Sequence, residues 1–176
     1  NYRQIKSFIF KKNFYKLQNK YVQNFEFLNF SSNLGGKIGI NLSKKSIFGW
    51  FRLNKNKLNF PWSEDLTSKR LINLIYNYEF INSSSTEVET KILNKIILVH
   101  INRIRLDFTQ KKLGDITSFD VLAYFLSNFI MNCISDRDIK FFNQFLVYQI
   151  DSLGMHRSYN ILEHAKFINN LIEIRS

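Results

Sequence analysis

Acid is nearly missing from the first third of this chain. Between residues 1 and 62 only Glu26 is negative, against twelve Lys or Arg, so this stretch carries +11, the whole net charge of the protein. Residues 63–176 hold thirteen bases and thirteen acids and sum to zero. Cysteine and proline each occur once in 176 residues. A lone Cys133 excludes an internal disulfide framework and a cysteine-rich zinc site. It lies in an apolar, helix-like run and reads as a small core residue, in a compartment that is reducing or indifferent to redox. Alanine is scarce, while Asn, Lys, Ile, Phe and Tyr, all with A/T-rich codons, are abundant. That bias points to an AT-rich genome, such as that of an organelle, endosymbiont, parasite, phage or plasmid. Codon bias alone does not explain the basicity, because it acts along the whole chain and the excess charge does not.

Catalytic signatures are also lacking. No His-x-x-x-His pair or carboxylate cluster offers a metal site. His100, His156 and His164 are scattered and read as surface or core histidines. Asp136 and Asp138 stand where a helix begins, and capping accounts for them. The chain is therefore read as a non-enzyme with no catalytic residue, metal or cofactor. A long uncharged run is missing too. Residues 116–135 contain one charge, Asp120, over a span-like length, but Thr117, Ser118, Ser127, Asn128 and Asn132 make a buried core helix the better expectation than a membrane span.

What is present is a hydrophobic content of 45%, with 16% aromatics, which excludes the disordered class. The length suits one domain, or one domain with an extension. Residues 2–21 place Phe10, Phe14, Leu17 and Tyr21 near helical spacing, with Lys6, Lys11, Lys12, Lys16 and Lys20 among them. A mitochondrial presequence is also basic, amphipathic and acid-free, but it is richer in Arg and Ser, so a mature basic helix is expected. Residues 22–30 fit neither helix nor strand cleanly.

Over 35–62, Ile38, Ile40 and Leu42 alternate with Gly39 and Asn41. The polar cluster Ser43-Lys44-Lys45-Ser46 precedes Ile47–Leu53, and Asn54-Lys55-Asn56-Lys57 precedes Leu58, Phe60 and Trp62. Alternating runs split by polar clusters predict a small β-hairpin unit with lysine-bearing turns.

Pro61 and Ser63 mark a boundary. Ser63, followed by Glu64 and Asp65, is a helix start, with Leu71, Leu74, Ile75 and Tyr78 following. Thr86 and Glu89 match a capping box ahead of Val88, Ile92, Ile96 and Val99, although Ile96–Val99 also suits a buried strand. Leu113-Gly114 is a stop. Further helices carry Phe119, Leu122, Leu126, Phe129 and Cys133, then Ile139, Phe142, Leu146 and Ile150, with Gly154 at the C′ position. The last carries Ile161, Ala165, Ile168 and Ile172. The expected fold is therefore α+β and mainly α. Residues 1–62 form a basic helix plus β-hairpin unit, and residues 63–176 a neutral body of four to five helices.

The basic third carries the functional expectation. Lysine and arginine neutralise phosphates and release counterions, which gives affinity without sequence preference. Lys11, Lys12, Lys16, Lys37, Lys44, Lys45, Arg52, Lys55 and Lys57 are the candidate RNA contacts. Trp50, Phe48, Phe51 or Trp62 are candidates for stacking on unpaired bases, against the simpler reading that they are core. Gly36-Lys37-Ile38-Gly39 matches the GxxG backbone clamp of KH domains, although a glycine-permitted turn explains it equally. Arg103, Arg105, Lys111 and Lys112 form a second basic cluster, either an extension of an anion-binding face or a charged helix C-terminus.

Residues 38–70 resemble the N-terminal part of the KH-containing protein of the small ribosomal subunit. The shared features are Gly39-Ile40-x-Leu42, Trp50-Phe51, and Glu64-Asp65 ahead of Arg70. That family places its GxxG after a βα unit, whereas no GxxG follows Trp50 here. More broadly, the chain resembles organelle-encoded ribosomal proteins of AT-rich genomes in its basicity and its Phe, Asn, Lys and Ile content. The resemblance implies a structural component of a mitochondrial ribosome, with rRNA or another polyanion and neighbouring proteins as partners, and the AT-biased composition points to the mitochondrial matrix. Two alternatives stand beside it: an accessory subunit of a respiratory or ATP-synthase complex, and a plasmid or phage DNA-binding protein.

Overall fold

A computed structural model describes residues 14–16, 19–57 and 60–175 of the protein. Among them are nine α-helices: α1 (Lys20–Gln23), α2 (Phe27–Leu34), α3 (Gly36–Asn54), α4 (Glu64–Tyr76), α5 (Tyr78–Asn82), α6 (Glu87–Gln110), α7 (Ser118–Ile130), α8 (Asp136–Gln149) and α9 (Ile161–Arg175). Two 3-10 turns, Phe14–Lys16 and Leu113–Asp115, complete the regular structure of these residues. The only β pairing among them is an isolated antiparallel bridge between Ile150 and His156.

The expected β-hairpin unit is therefore overturned, and the fold is all-α in the described residues. Residues 36–54 form one helix. The apolar alternation of Ile38, Ile40 and Leu42 hides a longer period: Gly39, Ile40, Ser43, Lys44, Ser46, Ile47, Gly49, Trp50 and Asn54 are the buried positions of α3. The residues read as a turn, Ser43 to Ser46, lie mid-helix because small side chains let neighbouring segments approach closely. A Cβ added to Gly39 would lie 2.2 Å from the Ser31 carbonyl oxygen of α2, and one on Gly49 would meet the Tyr15 ring. Ser46 also keeps its hydroxyl satisfied by donating to the Leu42 carbonyl at 2.6 Å. The basic helix expected over 2–21 lies largely outside the described residues.

The ambiguity over 22–30 has a local cause. The chain turns at Phe25, whose φ is +64°. A left-handed phenylalanine costs on the order of 1–2 kcal/mol. Its fully buried ring repays that by packing edge-on to Trp50 and Phe27, with centroids 5.2 and 5.5 Å away. The turn lets Phe25, Phe27, Leu28 and Phe30 all face inward.

The chain divides into two compact units, residues 1–102 and 103–176. The charge break at 62/63 falls inside the first. That unit carries sixteen Lys or Arg against six acids, while the second carries nine against eight. Residues 96–99 are helical, within α6. The Thr86 capping box is formed: the Thr86 N–H donates to Glu89 Oε2 at 2.9 Å and the Glu89 N–H to Thr86 Oγ1 at 3.3 Å. The buried stripe of α6 in the first unit is Leu93, Ile96, Ile97, His100 and Ile101, while Val88 and Ile92 are exposed.

The second unit packs around Phe108, Ile116, Val121, Phe125, Phe145 and Phe167. Thr117 caps α7 in a box with Asp120, and Ser135 caps α8 in a box with Asp138. Gly154 does not end α8, whose C-cap is Ile150; with φ +79° it sits in the turn between Ile150 and His156. On α9 the expected core stripe is displaced. Phe167, Asn170, Leu171 and Ile174 face the core, whereas Ile161, Ile168 and Ile172 are exposed. No helix among the described residues is long and apolar enough to cross a membrane.

Candidate nucleic-acid interface

The first unit is centred on a buried cation. Arg70 lies on the apolar stripe of α4 with Leu66, Leu71 and Leu74 and is fully buried. Its guanidinium carbon stands 4.2 Å from the Trp50 ring centroid, 5.0 Å from that of Trp62 and 5.6 Å from that of Phe25. Nε donates to His100 Nε2 at 2.9 Å, Nη1 to the Gln23 carbonyl, and Nη2 to the Pro61 carbonyl at 3.1 Å. His100 Nδ1 is 2.8 Å from the Ile96 carbonyl. The ring must therefore carry its proton on Nδ1 and be neutral to accept from Arg70. Trp50 donates to Gln23 Oε1 and Trp62 to the Asn54 carbonyl, both at 2.7 Å.

This cage corrects the stacking candidates. Trp50 and Trp62 are buried around Arg70 and present no face to an unpaired base. An arginine inside an apolar helix stripe, with two tryptophans nearby in sequence, is the signal that would have marked it.

The candidate contacts separate on inspection. Lys11 and Lys12 lie outside the described residues. Lys44 is buried: its Nζ donates to the Ser84 carbonyl at 2.9 Å and pairs with Glu89 at 3.1 Å. The Thr86 backbone N–H, then the Lys44 ammonium, hold the Glu89 carboxyl below its ordinary range. Lys44 is a structural ion-pair residue, and sequence placed it wrongly because the hairpin put it on a turn tip. Lys16, Lys37, Lys45, Arg52, Lys55 and Lys57 are exposed.

Four of these lie together. At 3.6 residues per turn, Lys37, Lys45 and Arg52 of α3 and Lys55 at its C-cap fall within an arc of about 80° and along about 27 Å of the helix axis. Exposed Asn41 lies in the same arc. α3 contains no acid, and among the described residues none of the four is in an ion pair. The helix thus buries its small and apolar side and presents a cationic stripe on the other, interrupted by Asn41 and the half-buried Phe48. Gly36 and Gly39, read as a clamp, open α3; Gly39 is consumed by the contact with α2, so the pair forms no free backbone loop. Comparison with protein-family models, curated proteins and solved structures finds no match.

The second basic cluster does not act as one patch. Lys111 pairs with the buried Asp120 at 2.8 Å, while Arg105 lines a cleft of the second unit. His156 and His164, read as unrelated, meet across a loop, the His156 N–H donating to His164 Nδ1 at 3.1 Å. No group of three or more His, Cys, Asp or Glu among the described residues is arranged to hold a metal.

Proposed function

We propose that this protein is a structural RNA-binding component of a mitochondrial ribosome, and that the exposed face of α3 lies against rRNA phosphates. The observation that carries this is the acid-free stripe of Lys37, Lys45, Arg52 and Lys55 on one helix face. Point cations on a rigid helix position a phosphate backbone without reading its sequence. The AT-biased composition supports a mitochondrial origin. The uncovered Ile161, Leu162, Ile168 and Ile172 of α9 suit a chain packed among neighbouring proteins of a large assembly.

The test is a competition between structured RNA and duplex DNA of equal length, together with an inventory of nucleic acid in the assembly purified from its native source. Preference for RNA, and co-purification with rRNA, are expected. Preference for duplex DNA, or an assembly free of rRNA, would overturn the proposal.

A further inference from the structure

The second unit contains a cleft of about 460 Å³ between the end of α6, α7 and the start of α8, within the range of about 300–1,000 Å³ typical of small-molecule sites. Its floor is aromatic. Phe108 and Tyr124 stack with centroids 4.0 Å apart and planes 9° apart, and Phe141 meets Phe108 edge-on at 5.0 Å. Two arginines, Arg105 and Arg137, line it. Neither makes a hydrogen bond or ion pair among the described residues. The other charged groups of the lining are committed: Lys111 to Asp120, and Asp138 to Tyr124 and Ser135. The N-terminus of α8 carries a capping box between Ser135 and Asp138.

We infer that this cleft binds one nucleotide, its phosphate held by Arg105 and Arg137 and its base against the Phe108–Tyr124–Phe141 wall. A guanidinium binds phosphate through paired N–H donors, and aromatic faces accept any base. Arg105 feels the Asp138 carboxylate across the cleft, but a cation is still disfavoured by the two arginines, and a purely apolar ligand would leave both desolvated. The nucleotide is either a free mononucleotide or one unit of an RNA strand; both present the same phosphate and ring. The cleft does not depend on the α3 stripe.

Cys133, the only cysteine of the chain, lines the same cleft and serves as a reporter. The full-length protein is treated with N-ethylmaleimide, and modification is followed by intact mass with AMP, a single-stranded oligoribonucleotide or inorganic phosphate added. Saturable slowing by AMP, by the oligoribonucleotide or by both is expected, in proportion to 1 + [L]/Kd. AMP protection identifies the free source, and protection by the strand alone identifies RNA. Arg105→Gln and, separately, the exposed Arg137→Gln are each expected to weaken protection about tenfold, the loss of one charge-assisted hydrogen bond, with protection in each variant measured against its own rate in the absence of ligand. Charge-neutralised α3 variants are expected to keep AMP protection, which separates failure of this site from failure of the RNA interface. No protection by AMP or RNA, protection in either arginine variant as strong as in the natural chain, or inorganic phosphate protecting as well as AMP would overturn the assignment.

Discussion

Arg70 shows how a single side chain organises the first unit. It joins α4 to the α1–α2 turn through Gln23, to the segment before α4 through Pro61, and to α6 through His100. Lysine has one ammonium and cannot reproduce this fork or stack as a plane on Trp50. Arg70→Lys is therefore expected to destabilise the fold by about 3–5 kcal/mol, the range for breaking a buried charged network; chemical denaturation checks this, and a loss below that range would show that the cage is not integral. Lys44 and Lys45 make a sharper pair. They are adjacent in sequence, but one is buried on Glu89 and the other is exposed on the basic face. Lys44→Gln is expected to lower the thermal midpoint and leave the salt dependence of RNA binding intact. Lys45→Gln is expected to do the reverse.

At the scale of elements, α3 carries both the close packing of the first unit and the proposed interface, and the sequence disguised it. Its buried side is built from Gly39, Ser43, Ser46 and Gly49 between Ile40, Ile47 and Trp50, so the apolar signal is diluted where packing is closest. Polar and glycine residues at tight helix contacts look like turns when read without their neighbours. The capping box at Thr86 and the helix start at Asp136 and Asp138 were legible because they are local, each settled within three residues. The buried stripes of α6 and α9 were not, because Val88, Ile92, Ile161 and Ile172 are as apolar as the residues that face inward; only tertiary packing chooses between them. The basic face was legible as charge but not as geometry, so Lys44 was grouped with residues it does not join. Gly39→Ala tests the helix contact. It is expected to cost about 1–3 kcal/mol through overpacking against the Ser31 carbonyl. Gly36→Ala, with open space around it but φ +55°, is expected to cost about 1–2 kcal/mol through backbone strain alone. A Gly39→Ala variant as stable as the natural chain in denaturation experiments would contradict the close contact.

At the scale of the molecule, charge sets the pH behaviour and underlies the partner proposed for the chain. Hydrogen bonds and cationic neighbours hold Glu89 below its ordinary 4.5. Burial raises the Asp138 carboxyl, but bonds from Ser135 and Tyr124 and the charge of Arg105 outweigh it and leave it below 3.8. Both groups stabilise the fold fully above those unfolded values and lose that contribution as pH falls through their lower folded ones. Thermal midpoints should therefore hold near neutrality and decline below about pH 4.5, with protons taken up on unfolding; a midpoint unchanged down to pH 3 would contradict the assignment.

The stripe on α3 is tested most directly by the salt dependence of RNA affinity, measured for the natural chain and for a variant with Lys37, Lys45, Arg52 and Lys55 all replaced by Gln. Each phosphate contact contributes about −0.7 to the slope of log K against log salt for a single strand. The variant is expected to bind more weakly and with a slope shallower by about three units, while retaining its helical content and thermal midpoint. An unchanged slope in a folded variant would mean that this face does not meet phosphate.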